Sequence, residues 1–430
     1  MTKETGAGTT RSQLSRRRDP KLPLAVELLR RDEPMHPQLQ SRLVSGLPRE
    51  IREMIWKYAL RVYEDVDDLY NSEASYARPG HAAPLRIAVA LLGTCRAVYL
   101  ETFLLPFQIN PIEIFDGDEL DIPPDSQLVR SVGDQLRCKR LKTWQFANIS
   151  SVKMTVQQIM LEGGSVERVS RIIGAMGRHK GFECRSFNGL GFATLEQPAK
   201  VDNGANEMSD NKDTADKLPF PEENLLVGRK ITHLTIQMGR TDWWSWKTEL
   251  SECENNPRER LRLEPMINST HIAAHRLPMT MGYEARKAGK EPDFGLDEFE
   301  KQGRWGLHVG EYWPDLTTLK LVLETFMFKK DQLDYVIECA KLWNFPLGDG
   351  YHLVWDGTEE AFRWRGASSY YNRNPRSSEG NSSRNFEAQD PPVIRWRPEI
   401  QNGCDPGDAQ EFIVQTMTFK RRRISEYRTD

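Results

Sequence analysis

Apolar residues between Leu47 and Leu60 recur with helical spacing, near the front of the chain. The spacing is i, i+4, i+7, i+8, i+11 and i+12, which predicts a helix with one apolar face. These positions are Leu47, Ile51, Met54, Ile55, Tyr58 and Ala59. Pro48 fits the first turn of such a helix, where its missing N–H costs nothing. Trp56 lies about 140° from Ile51 at 100° per residue, so the pattern predicts that Trp56 points away from the internal face.

A second amphipathic helix is predicted from about residue 85 to residue 105, where Pro106 would end it. Its predicted buried positions are Ala88, Leu91, Leu92, Cys95, Val98, Tyr99 and Thr102. Residues 61–84, which join the two helices, are acidic and irregular. Two short helices cannot bury their apolar faces alone. They must pack on each other and on either the rest of the chain or a partner.

Three later segments share one pattern, an apolar residue followed by apolar positions at i+3, i+5 and i+7. The segments are Ile149-x-x-Val152-x-Met154-x-Val156, Ile231-x-x-Leu234-x-Ile236-x-Met238 and Leu316-x-x-Leu319-x-Leu321-x-Leu323. Each predicts a strand, because its apolar residues alternate with period two. The shared register predicts equivalent places in one mostly parallel sheet. The connections are far longer than the roughly 20–29 residues of a standard leucine-rich repeat.

Helices and two further strands complete the predicted body. Helices are predicted at 166–176 and 332–343, with Ser165 and Asp331 as N-caps. The second of these buries Leu333, Val336, Ile337, Ala340 and either Leu342 or Trp343. Strands are predicted at 351–355 and 411–419, and a short helix is predicted to end before Pro278. Strand–turn–helix order of this kind indicates α/β packing with crossover connections.

Composition and the predicted elements together divide the chain into three parts. Residues 1–40 are predicted to be a flexible leader, 41–116 a helical module and 125–430 an α/β body. Two polar stretches inside the body, about 196–224 and 366–392, are predicted to be disordered insertions.

Bulk charge and cysteine spacing limit the function classes. The net charge is −3, which argues against a general affinity for nucleic acid. No apolar run approaches the roughly 18 residues of a membrane span. The six cysteines form no close pair, so we expect reduced thiols in an intracellular protein, cytoplasmic or nuclear.

Several local motifs have both a chemical and a structural interpretation. His271 and His275 have a spacing that metals can use, but no Glu lies between them, and we interpret them as a solvated helix face. Gly163-Gly164-Ser165 could hold a phosphate at a helix N-terminus, but it lacks a nucleotide loop's lysine, and an ordinary βα turn explains it better. We predict no metal, no cofactor and no catalytic set.

Aromatic and basic clusters leave two further alternatives open. Trp243, Trp244 and Trp246 are interpreted mainly as core packing, with a binding hot spot as the alternative. The segments 363–365, 395–397 and 420–423 interleave cations with aromatic residues or form a basic run. They are either solvated strand ends or a patch for RNA or acidic partners.

Two motifs near the front of the chain together resemble an F-box. Leu47-Pro-x-Glu-Ile-Arg-x-x-Ile-Trp56 is followed by Leu91-Leu92 and then by Thr94-Cys-Arg-x-x-Tyr-x-Glu-Thr102. Residues 110–115 resemble the short strand that follows these motifs. The pattern is most similar to F-box-like proteins that fungi encode in large, mostly uncharacterised sets, and it covers about residues 43–116.

The resemblance implies a non-catalytic protein-interaction module. The helical pair would dock the small adaptor of a cullin-RING ubiquitin ligase, and the body would present a recognition surface for a substrate. The implied adaptor contacts are Leu47, Pro48, Ile51, Ile55 and Trp56. In the alternative, these helices only complete the protein's own core. An enzyme or a nucleic-acid binder would need a polar pocket or a contiguous cationic face.

These patterns together predict an α+β protein. An F-box-like helical pair would be followed by a degenerate leucine-rich-repeat-like α/β body with mostly parallel strands and disordered insertions.

Overall fold

The computed structural model describes most of the predicted elements. The described residues are 23–30, 38–70, 78–116, 143–146, 148–177, 230–244, 260–267, 278–294, 304–348, 350–367 and 409–423. The predicted insertion at 196–224 lies outside them, as does the one at 366–392 beyond Ala367.

A small helical unit precedes the main sheet. Its helices are α1 (Leu24–Arg30), α2 (Arg42–Ser45), α3 (Arg49–Ala59), α4 (Arg96–Thr102) and α5 (Leu105–Ile109). A short antiparallel ladder joins β1 (Tyr63–Glu64) to β2 (Leu85–Arg86) within the connection between α3 and α4. The predicted helix at the front of the chain is therefore confirmed as α3.

The prediction of one long second helix is wrong. Residues 85–109 form β2, a 3-10 turn at Val89–Gly93, and then α4 and α5. Cys95 interrupts the helix because its backbone is extended, with φ −158° and ψ 164°. Pro106 lies in the first turn of α5 rather than ending a helix, as its fixed φ and missing N–H allow.

Part of the predicted leader is an ordered helix. Helix α1 contacts α4, and its Ala25 and Val26 are buried. The Arg96 guanidinium of α4 donates a hydrogen bond to the backbone carbonyl of Leu28. The prediction of a flexible leader is therefore wrong for residues 24–30.

Seven of the described strands form one mixed sheet, so the prediction of mostly parallel strands holds for only half of its pairings. They are β3 (Ile112–Asp116), β4 (Ser151–Val156), β5 (His233–Met238), β6 (Thr318–Phe326), β7 (Asn344–Gly348), β8 (Tyr351–Ala367) and β9 (Ala409–Arg423), in the spatial order β3-β4-β5-β6-β9-β8-β7. The first four are parallel, whereas β9, β8 and β7 join antiparallel. Val152 lies opposite Leu234, and Leu234 opposite Leu319, so the predicted shared register is confirmed.

Helices cover the apolar face of the sheet. They are α6 (Thr143–Phe146), α7 (Gln158–Glu162), α8 (Ser165–Gly177), α9 (Pro278–Lys287), α10 (Trp305–Tyr312) and α11 (Lys330–Ala340). Helix α8 contacts α10, and α10 contacts β7. The predicted helices at 166–176 and 332–343 are both present, although the second ends at Ala340, and the α+β class is confirmed.

Two details of these helices differ from the sequence prediction. Lys329 occupies the N-cap of α11, and Asp331 lies inside its first turn. Helix α9 begins at Pro278, as proline's fixed φ permits in a first turn. A short helix was predicted to end before Pro278, and residues 268–277, which directly precede this proline, lie outside the described residues.

The helical unit and the sheet are joined directly. Strand β3 is the last part of the predicted 41–116 module, yet it pairs with β4 over residues Ile112–Asp116. All five of its residues are buried. The module therefore supplies the edge strand of the main sheet.

Candidate functional site

Helix α3 presents two different faces. Trp56 and Leu60 point inward and form a small apolar cluster with Val98 and Leu105. Trp56 is only 2% exposed, and it is the one buried residue of α3. The prediction that Trp56 points away from the interior is therefore wrong. Periodicity correctly separated Trp56 from Ile51, but it could not say which side would be covered.

The opposite side of α3 carries large apolar residues in solvent. Ile51 is 44% exposed, Met54 67%, Ile55 37% and Tyr58 85%. Because a helix turns 100° per residue, these four positions fall within an arc of about 100°. We call them the outer face of α3. Glu53 and Lys57 form an exposed ion pair of 2.7 Å on the same helix.

A network of polar contacts fixes the orientation of α3. The Arg52 guanidinium binds both carboxylate oxygens of Glu101, with Nη2–Oε1 at 2.7 Å and Nε–Oε2 at 3.1 Å. Trp56 Nε1 donates to Glu101 Oε2 at 3.0 Å. Desolvation opposes ionisation of Glu101, but the hydrogen bonds from Arg52 and Trp56 outweigh it and hold its pKa below the ordinary value. Glu101 is therefore a charged anchor for the inner side of α3.

Asn110 closes the other end of the helix. Its Nδ2 donates to the carbonyl oxygens of Leu60 at 2.8 Å and Pro106 at 3.0 Å. Its Oδ1 accepts from the backbone N–H of Val62 at 2.8 Å. Sequence reasoning gave neither Asn110 nor Glu101 a role, although Glu101 belongs to the second motif of the F-box resemblance.

The five residues that were predicted to contact a partner take three different positions. Ile51 and Ile55 belong to the outer face, and Pro48 is exposed at the N-cap of α3. Leu47 is half-buried, and its carbonyl oxygen accepts from Arg52 Nη1 at 2.7 Å. Trp56 alone is enclosed. Met54 and Tyr58 were not among the predicted contacts, because those followed from the F-box resemblance and its motif specifies neither position.

The glycine motif lies between two helices rather than after a strand. Gly163 and Gly164 join α7 to α8, and Gly164 takes a positive φ of 92°. The predicted N-cap role of Ser165 is wrong. Ser165 opens α8 and its hydroxyl donates to the Asp116 carboxylate, which Arg168 Nη2 also contacts at 3.1 Å. The Ser165 hydroxyl is therefore already hydrogen-bonded to a buried carboxylate at the end of β3.

The tryptophan cluster divides between the core and the surface. Trp243 is buried and its Nε1 donates to the carbonyl oxygen of Glu324 at 2.8 Å, so the core-packing prediction is confirmed for Trp243. Trp244 is about half exposed, and its Nε1 donates to Glu162 Oε2 at 3.0 Å. Trp246 lies outside the described residues.

The basic segments are built into strand ends. Arg421 stacks on Tyr351 with 4.1 Å between the guanidinium carbon and the ring centroid, and Arg423 Nε donates to the Tyr351 hydroxyl at 2.9 Å. Trp364 is buried, and Arg363 and Arg365 beside it are exposed. Residues 395–397 lie outside the described residues.

Other candidate chemistry has little support in the part of the chain that the structure describes. No group of three metal-ligating side chains occurs there, and His271 and His275 lie outside it. Cys95 and Cys339 are free thiols, and burial raises the pKa of Cys339 to about 11. None of the described helices has the length and apolar character to cross a bilayer.

Comparisons with protein-family models, with curated proteins and with solved structures gave no match.

Proposed function

We propose that this chain is a non-catalytic protein-interaction protein whose helical unit docks a partner through the outer face of α3. The observation that carries the proposal is the exposure of Ile51, Met54, Ile55 and Tyr58 on one helix. The inner side of this helix is already packed by Trp56 and anchored by Glu101. Contiguous exposed apolar residues typically mark protein–protein sites.

The F-box resemblance suggests which partner binds there. On this proposal the outer face of α3 docks the small adaptor of a cullin-RING ligase, and the sheet-bearing body presents a substrate. Leu47 and Pro48 lie at the start of the docking helix, and Ile51 and Ile55 lie in the centre of the contact. Trp56 supports the site from beneath rather than touching the partner.

The alternative function is that these helices only complete the protein's own core. That hypothesis accounts for Trp56 and Leu60, which are buried. It gives no reason for Tyr58 and Met54, which contribute little to the interior because most of each side chain is in solvent.

Co-elution of the full chain with purified adaptor tests the proposal. We expect a complex, and we expect Met54→Asp and Tyr58→Asp to abolish it without changing the thermal unfolding midpoint, because both side chains lie in solvent. Arg49→Asp is the matched control. It places the same charge on the same helix at an exposed position away from the outer face, where a first-turn carboxylate is tolerated.

A stability measurement separates docking from core packing. Trp56→Ala should lower the free energy of unfolding by about 3–5 kcal/mol, since it removes a buried aromatic side chain. Met54→Asp should leave that free energy within about 0.5 kcal/mol. The docking proposal fails if wild-type chain and adaptor elute separately at about 10 μM each, a concentration that would detect a micromolar Kd.

A further inference from the structure

Strand β8 extends well past its outer neighbour. Strand β7 pairs with β8 only between Tyr351 and Val354, whereas β8 continues to Ala367 along β9. A register shift between Trp355 and Glu359 precedes the extension, with Gly357 at a φ of 88°. Within the described residues, the outer edge of β8 therefore has no partner strand over 358–366. Unpaired N–H and C=O groups on such an edge are a template for another strand.

The side chains of this edge follow a charge order. Glu359 and Glu360 come first and Arg363 and Arg365 come last, and all four are exposed. Phe362 lies between the two pairs and is 45% exposed. The order acidic, aromatic, basic is complementary to itself only when the second strand runs in the opposite direction. In a parallel pairing the like charges would lie side by side, which is destabilising.

We propose that a second copy of this chain pairs with the edge of β8, antiparallel and through a two-fold axis at Phe362. In this register Glu359 faces Arg365 of the other copy, and Phe362 faces its own equivalent. The Glu359–Arg365 contact forms twice because the interface is isologous, and the Phe362 contact forms once, on the axis. The seven-stranded sheet of one copy would then continue through β8 into the sheet of the other copy, and the unpaired part of β8 would be covered in both copies.

Charge reversal on the full-length chain tests the register. Light scattering across a concentration series should give a dimer mass for the wild type. Arg365→Glu should give a monomer, because it places Glu359 opposite a second carboxylate. Glu359→Arg should do the same, and the double variant E359R/R365E should restore the dimer.

Two controls keep this test specific. Arg363→Glu makes the same charge change on the same strand face, but Arg363 would face Ala361, so the dimer should persist. Within one chain, Glu359 forms an ion pair with Lys341 at 3.3 Å, Arg363 forms one with Glu411 at 3.9 Å, and Arg365 lies opposite Glu411 on β9. Thermal unfolding of every variant must therefore be recorded. A variant that is a folded monomer has lost the interface rather than the fold.

Cysteine cross-linking provides an independent measurement. Residues directly opposite in an antiparallel pair have Cβ atoms about 4.5–5.5 Å apart. Phe362→Cys should therefore give an oxidised covalent dimer beyond the wild-type background, and Ala361→Cys should not. Arg365 lies on β8 rather than on the outer face of α3, so Arg365→Glu should leave adaptor co-elution unchanged.

Three outcomes would overturn the proposal. The first is a monomer mass for the wild type at its highest soluble concentration. The second is a dimer that Arg365→Glu leaves intact or that Arg363→Glu dissociates. The third is a monomer in which the edge amides of 358–366 resist hydrogen exchange until residues 368–408 are deleted. That result would assign the edge to the chain's own connection between β8 and β9.

Discussion

At the residue scale, His81 shows how burial sets protonation in this protein. Its Nε2 lies 2.6 Å from Lys153 Nζ and 3.7 Å from Glu113 Oε1. Burial, together with the nearby charges of Lys153 and Arg78, lowers the pKa of His81 well below its ordinary value. The imidazole is therefore neutral and accepts a hydrogen bond from the Lys153 ammonium, which also donates to Glu113 at 3.0 Å.

This burial predicts a pH-dependent stability. The unfolded chain takes up a proton at His81 near pH 6.5, whereas the folded chain does so only at a lower pH. The contribution of neutral His81 to the free energy of unfolding should be fully present above about pH 6.5. It should fall as the pH decreases below that value, by at most about 1.4 kcal/mol per pH unit. Urea unfolding of wild type and His81→Gln at about pH 7.5 and about pH 5.5 measures this change in the free energy of unfolding. These two pH values lie about one unit above and below the pKa of an unfolded histidine.

The matched control for this prediction is His233→Gln. Burial and the charges of Lys420 and Lys320 lower the pKa of His233 as well, but this residue is less deeply buried. His81→Gln should flatten the pH profile more than His233→Gln does. Equal profiles for wild type and His81→Gln would contradict a neutral His81.

Sequence patterns located the residues of the candidate site better than they oriented them. The spacing of Ile51 and Tyr58 predicted an apolar side of α3 correctly, yet the structure leaves that side in solvent. The opposite side of the helix is buried instead, because Trp56 fills the small apolar cluster and its indole N–H donates a hydrogen bond to Glu101. Helical period contains no information about such a distant partner.

At the element scale, helix α10 and strand β7 approach each other closely at Gly310. This residue of α10 lies against β7, and an added Cβ would come within 1.6 Å of the Pro346 carbonyl oxygen. The atom it would meet belongs to the backbone, so no side-chain rotation can relieve the clash. A glycine here therefore sets the distance at which α10 packs on the sheet.

Gly310→Ala should therefore be strongly destabilising. We expect a loss of about 1–3 kcal/mol or more in the free energy of unfolding, which is the usual cost of overpacking. Gly93→Ala is the control, since a Cβ at Gly93 meets nothing within 4 Å. Denaturant unfolding of the two variants measures the contrast. A Gly310→Ala chain as stable as the Gly93→Ala chain would show that α10 is not held at this distance.

The strands were the most predictable elements, for a physical reason. In β4, β5 and β6 the apolar face must meet the helices, so period two is imposed on each segment. The register followed from equivalent positions such as Met154, Ile236 and Leu321, which lie directly opposite one another. The break at Cys95 could not be predicted, because it depends on backbone conformation rather than on the apolar pattern.

At the scale of the whole molecule, the helical unit depends on the sheet. Strand β3 follows α5 after two residues and is buried throughout. Its hydrogen-bond partner β4 lies in the body. The resemblance marked residues 41–116 as a module. A module boundary drawn from sequence motifs does not show that its last strand, β3, belongs to the main sheet.

A fragment of residues 41–116 should consequently fail to fold alone. Without β4, the fragment exposes Ile112, Ile114 and Phe115 on an unpaired edge, which favours aggregation. Circular dichroism and light scattering should show low helicity or aggregates, whereas the full chain is folded. A soluble fragment with the helical content of α2–α5 would contradict this prediction and would make the helical unit autonomous.

The position of β9 has a consequence for synthesis on the ribosome. Strand β9 comes last among the described strands, yet it lies between β6 and β8. Until residues 409–423 leave the exit tunnel, β6 and the hairpin of β7 and β8 cannot be joined. Until then a nascent chain carries two unpaired strand edges, one on β6 and one on β8. Exposed edges of this kind favour aggregation, so we expect chaperone binding to matter most in that interval.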